Sequence, residues 1–166
     1  MNVKTRKQRG YTAIEMIIGL ALVGILGLGI TGFTMQTITY GAKSNNKMQA
    51  MMQVENAGYW VSRDVQMSAN ISLGENAGFP LELNWLDIDQ NEYQVLYTLT
   101  GSEIKRSLAR NGQENLQTII AESINPATDL TSCTYTDGLL TFKVTATVDD
   151  NDVSRSYTIK KRLEFE

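Results

Sequence analysis

The hydrophobic pattern of the chain changes twice between its two ends. Residues 11–33, YTAIEMIIGLALVGILGLGITGF, form a 23-residue apolar run with one charged side chain, Glu15. At a helical rise of ~1.5 Å per residue this run extends roughly 34 Å, against a hydrocarbon thickness of about 30 Å, so it is predicted to be a membrane-spanning helix. Residues 34–72 contain no proline, and Met51, Val54, Val61 and Val65 recur at intervals of three, seven and four. That spacing predicts an amphipathic continuation of the helix. Gly58 fills the missing turn of the stripe, where a sheet is expected to approach closely. Gly41 and the Ser-Asn-Asn at 44–46 are expected to form a weak or bent point.

From residue 73 the remainder reads as a β-sheet head. Leu81, Leu83 and Trp85 alternate, as do Tyr93, Val95, Tyr97 and Leu99, with the polar connection DIDQNE between them; a short strand follows through Ile104, Arg106 and Leu108. Cys133 and Tyr135 lead into Asp137-Gly138, a pair suited to a tight hairpin, and Leu140, Phe142, Val144, Ala146 and Val148 alternate after it. The acidic turn 149–152 precedes a last strand with Tyr157 and Ile159. An α+β fold is predicted: a long N-terminal helix packed on an antiparallel sheet of five or six strands. The sheet's apolar face would supply a core without disulfides.

Charge sharpens this picture. Of 15 Lys and Arg, four (Lys4, Arg6, Lys7, Arg9) stand in the first ten residues with no acid beside them, leaving 11 against 18 Asp and Glu in the rest. An acidic remainder does not predict a nucleic-acid-binding head. The basic flank predicts a cytoplasmic N-terminus and an external head. With one cysteine and no histidine, an internal disulfide is impossible, and the commonest general base and metal ligand is missing. No nucleophile constellation, acid–base pair or phosphate loop stands out, so no enzyme, catalytic residue, metal site or cofactor is predicted.

The junction of the two N-terminal segments reads RKQRG-YTAIEM: a glycine between basic block and apolar run, an aromatic after it, and glutamate at the fifth position beyond the glycine. A conventional signal peptide would instead need small residues after the apolar stretch, where Tyr40 stands in TYGAK. The junction resembles that of type IV prepilins and pseudopilins. The resemblance implies that a prepilin peptidase cuts after Gly10 and that Tyr11 becomes the methylated first residue of the mature protein. It further implies that residues 11–33 form the transmembrane and filament-core helix. Residues 53–69, 81–108 and the tail from Tyr135 to Lys160-Lys161-Arg162 are similar to the larger minor pilins and pseudopilins related to the J subunit of type II secretion. Departures are Tyr11 for the commoner phenylalanine, Ala13 for leucine, and Gly32 near the place where many major pilins have a kinking proline. The implied partners are the peptidase, other pilin or pseudopilin subunits, an inner-membrane assembly platform with its ATPase, and membrane lipid. The implied location is the cytoplasmic membrane, then a surface or periplasmic filament.

Glu15 is the candidate assembly residue. A carboxylate in an apolar helix costs up to about 3 kcal/mol at the bilayer centre, less near its edge, and so calls for a partner. Cleavage after Gly10 would supply the Tyr11 amine, in the same chain or a neighbouring one; the alternative is that Glu15 snorkels to the head groups. A signal-anchored single-pass protein with an external binding domain also accounts for the apolar run and the basic flank, but gives no reason for Gly10 or Glu15. The acids at 87, 89 and 92 and at 149, 150 and 152 lack the spacing of a calcium loop and are read as solvated turns. Cys133 is read as a small buried hydrophobe. Met48, Met51, Met52 and Met67, like Trp60 and Trp85, are read as core rather than as a binding surface.

Overall fold

A computed structural model describes residues 12–161. It divides into two compact units, Met1–Ala42 and Lys43–Glu166. The helix α1 (Ala13–Met67) opens in the first. There its side chains, Ile14 to Tyr40, are exposed and overwhelmingly apolar. An 18-residue window of the helix has a mean hydropathy of 2.3 with none of it buried, which by length and composition is enough to cross a membrane. The hydroxyls of Thr31, Thr34, Thr37 and Thr39 donate to the carbonyls of Gly27, Ile30, Phe33 and Met35 at 2.9–3.0 Å. Each hydroxyl is thus satisfied by the helix itself and needs no water. Gly41 and residues 44–46, where a weak point was expected, are helical.

The second unit holds the rest of α1 and eight strands. The strands are β1 (Asn70–Gly74), β2 (Gly78–Leu86), β3 (Glu92–Thr100), β4 (Glu103–Arg110), β5 (Gln113–Ala121), β6 (Ser132–Thr136), β7 (Leu139–Val148) and β8 (Asn151–Lys160). They form two antiparallel sheets, β1 to β5 and β6 to β8, each in sequence order. The architecture is therefore the expected pilin-like α+β fold, with the head built as two sheets rather than one. The helix ends at Met67, before the expected 72, because Ser68 turns back on it: its hydroxyl donates to the Val65 carbonyl at 2.8 Å. Ala69 then donates its N–H to Asn84 of β2, at 2.9 Å, which starts β1.

The core is one cluster in which α1 contributes small side chains and the sheets contribute large ones. Ala50, Val54, Ala57, Val61 and Val65 are fully buried against Leu81, Leu83, Val95, Tyr97, Ile104, Leu140, Phe142 and Val144. The four methionines expected in this core are not there. Met48, Met51 and Met52 are exposed and Met67 is half-buried. Met48, Met51 and Met52 lie off the buried arc, which is formed mainly by Ala, Val and Gly, while Met67 borders Trp85 and Leu86 at the end of β2. Trp60 and Trp85 are half-buried against the rim of the core.

Two glycines make this packing possible. A Cβ on Gly58 would overlap the ring of Tyr157 in β8, whose hydroxyl donates to the Val54 carbonyl at 3.3 Å. Gly78 has φ +85° and lies against the backbone carbonyl of Cys133, where the two sheets meet. Gly58→Ala is expected to destabilise the protein by roughly 1–3 kcal/mol through this overlap. Thermal unfolding of the detergent-solubilised protein checks it, and replacing Tyr157 by a smaller residue in the same chain should recover part of the loss.

Candidate functional site

The candidate residues named by sequence fall at the start of the chain. Gly10 and Tyr11 lie outside the described residues. Glu15 stands in the first turn of α1, and its position has a local cause. The Thr12 N–H and the Thr12 hydroxyl both donate to Glu15 Oε2 at 2.8 Å, while the Glu15 N–H donates to Thr12 Oγ1 at 3.4 Å. This is a reciprocal capping box, Thr at the N-cap and Glu three residues on, and it satisfies two amide donors that a helix start leaves unpaired. The negative charge also meets the positive end of the helix dipole. Thr12-x-x-Glu15 carried this signal in the sequence, where Glu15 was weighed only for pairing and snorkelling. The geometry folds the carboxylate back over the beginning of the helix.

Elsewhere on α1 one charge is fully buried. Asp64 sits among the small residues of the core, and Arg106 of β4 reaches it with Nε to Oδ2 at 2.7 Å and Nη2 to Oδ1 at 3.3 Å. The Tyr97 hydroxyl of β3 donates to the same Oδ2. The guanidinium also lies 5.0 Å from the centre of the Trp60 ring, with Arg63 at 5.4 Å. Burial opposes the Arg106 charge, but the hydrogen bonds and attraction from Asp64 outweigh it and hold the guanidinium above its ordinary pKa. Burial, then the Asp64 charge, push Tyr97 above the ordinary tyrosine value. Arg106 was read from sequence as one of an alternating set with Ile104 and Leu108. Its partner Asp64 was missed, although a lone acid three residues beyond Val61 in the buried stripe marks it.

The acidic turns have structural work of their own. The Asp87 carboxylate accepts from the backbone of Asp89 and Asn91 and from Asn91 Nδ2 at 2.8–2.9 Å, which closes the β2–β3 hairpin. The Asn91 side-chain bond is the main reason its pKa lies below the usual carboxylate value. Asp152 accepts from Thr147 at 2.7 Å, and Asp149 from Asn46. Among the described residues, no group of three His, Cys, Asp or Glu side chains is arranged to hold a metal ion. Cys133 is buried, and burial pushes its thiol up to about 12. At neutral pH it is therefore protonated, the state of a packing residue and not of a nucleophile.

No protein-family model, no curated protein and no solved structure matches the chain. The function is thus to be argued from the capped apolar helix and the head it carries.

Removing one member of the buried pair leaves the other charge unpaired, so Arg106→Met is expected to cost about 3–5 kcal/mol, against about 1 kcal/mol for Tyr97→Phe. Chemical denaturation of the solubilised protein checks both values. Stability should also fall in alkali. Unfolded cysteine ionises near ~8.5 and tyrosine near ~10, whereas the folded groups hold their protons to higher pH, so protection is complete below both values and is lost as pH rises through them. Cys133→Ala should flatten the part of the profile between pH ~8.5 and the folded value of about 12.

Proposed function

We propose that the protein is a subunit of a type IV pilin-like filament, held in the cytoplasmic membrane until it is assembled. One observation carries this reading: the exposed apolar stretch of α1 from residue 13 to 42, whose single carboxylate lies in the first turn and is folded back onto Thr12, the residue that follows the one whose amine cleavage after Gly10 would free. A membrane helix alone does not require the charge. In this reading the basic leader is removed by a prepilin peptidase and Tyr11 is methylated. The head lies outside the membrane, and the apolar helix leaves lipid to pack among those of other pilin or pseudopilin subunits at an assembly platform. The glycines at 19, 24, 27, 29 and 32 have open space around them, so neighbouring helices can approach their backbones closely. The role is structural rather than catalytic, and that of a minor subunit follows from the resemblance of the head.

A second reading, a signal-anchored membrane protein with an external binding domain, is favoured by the capping box itself. Thr12 gives Glu15 a partner without any cleavage.

Substitutions at 15 separate the two. Glu15→Gln keeps an oxygen that accepts from Thr12 but removes the charge. If charge pairing sets register, Gln should fail to enter filaments as completely as Ala; if capping is the whole role, Gln should assemble normally and Thr12→Ala should weaken the helix start by about 1 kcal/mol. The mass and first residue of the protein from its native membrane or sheared filaments test the assignment directly. A start at Tyr11 with one added methyl supports the filament reading, and an intact Met1 replaces it with the anchor.

A further inference from the structure

One stretch of α1 lies between its two apolar parts and belongs to neither. Residues 41–49, GAKSNNKMQ, are exposed except for half-buried Asn46; the last large side chain of the apolar run is Tyr40, and the core begins at Ala50. The division of the chain into compact units falls here too, between Ala42 and Lys43. The stretch is helical. Most helical stability in a folded protein comes from packing an apolar face, so a helix without that contact depends on its own residues.

Those residues are poorly suited to the task. Gly41, Ser44, Asn45 and Asn46 are weak helix formers. A Cβ on Gly41 would meet nothing within 4 Å, so this glycine, unlike Gly58, answers no close approach within the chain. Lys43 and Lys47 stand at i and i+4, where like charges repel across one face of a helix; the stretch has no acid, and among the described residues neither lysine is in an ion pair. Among the described residues, one side-chain bond ties the stretch to the sheets: Asn46 Nδ2 donates to Asp149 Oδ2 in the turn between β7 and β8.

We infer that α1 opens locally at residues 41–49 and that the Asn46–Asp149 bond is the latch that closes it. Opening there breaks exposed backbone hydrogen bonds and the latch, and uncovers no fully buried side chain. Opening from Ala50 onward would uncover Val54, Ala57, Val61 and Val65 and strand the Asp64 charge. The two parts of one helix therefore differ widely in the free energy of opening. The result is a joint: the helix breaks and re-forms at 41–49 while the core and the apolar run keep their structure. The joint belongs to the chain itself and holds under either reading of the apolar run, anchor or filament subunit.

Hydrogen exchange of the full chain in detergent, read peptide by peptide, tests the joint. Amides of residues 44–49 should exchange about a hundredfold faster than those of residues 54–65, since the first open locally and the second only with the core. Gly41→Ala combined with Asn45→Ala supplies two better helix formers and should slow exchange in the stretch roughly tenfold, with residues 54–65 unchanged. Asp149→Gly removes the acceptor and suits the turn, where φ is +50°; it should speed exchange at 44–49 severalfold. Brief trypsin treatment gives a second reading: cuts after Lys43 and Lys47 should precede the cut after Arg63. Equal protection across 44–65, a double variant that exchanges as fast as the parent, or a first cut at Arg63 would each overturn the joint. Unchanged exchange in Asp149→Gly would overturn the latch.

Discussion

The packing of α1 against both sheets at once is the constraint on which the second unit depends. A helix facing one sheet can bury large side chains, but a helix whose buried arc is met by two sheets has little depth on either side. Ala50, Val54, Ala57, Gly58, Val61 and Val65 satisfy that geometry, and the volume is made up from the sheets by Tyr97, Phe142, Leu81, Leu83 and Ile104. The tightest point is Gly58, where Tyr157 lies directly on the helix backbone. Met48, Met51 and Met52 consequently lie outside this arc and are exposed, and Met67 is half-buried at its end.

Within this shallow interface Asp64 supplies direction. Apolar packing of small residues is tolerant of sliding, since one Ala or Val resembles the next. A buried carboxylate is not: it must meet Arg106 and Tyr97 together, and a shift of one turn along the helix would leave all three unpaired. A pair of this kind need not add net stability relative to an apolar replacement, because desolvation offsets most of the attraction. Its stronger effect is on register, fixing which turn of α1 lies over which residues of β3 and β4.

Much of the fold was legible in the sequence because period two and the turn chemistry agreed: Leu81–Trp85, Tyr93–Leu99 and Leu140–Val148 are strands, and Asp137-Gly138 has the positive φ values of a tight hairpin. Two strands were not read. β5 pairs with β4 through Asn111-Gly112, both at positive φ, a strong hairpin signal that went unread beside the polar stretch Gln113–Gln117. The first three residues of β1 fall within the predicted helix, which was drawn to residue 72, because five residues are too few to establish a period and the pairing with β2 is a tertiary fact. At the N-terminus, the Thr12–Glu15 spacing was visible but was overshadowed by the apolar run that follows it. The Asp64–Arg106–Tyr97 cluster joins three elements separated by 33 and 42 residues, and no local pattern links them.

The polar groups of α1 divide by what they can find inside their own helix. Thr31, Thr34, Thr37 and Thr39 return their hydroxyls to carbonyls one turn back, and Glu15 returns its carboxylate to Thr12, so residues 12–42 present little unsatisfied polarity to an apolar surrounding. Those bonds leave the Glu15 charge itself unneutralised, because an amide and a hydroxyl donate without carrying a full positive charge. In lipid near the membrane edge water can make up the difference. In a bundle of helices from which water is excluded it cannot, and the only compensation is a cation. An amine at Tyr11 is therefore needed only by a helix that leaves the lipid, which is why the fate of the Glu15 charge, more than its hydrogen bonds, distinguishes a filament subunit from an anchor.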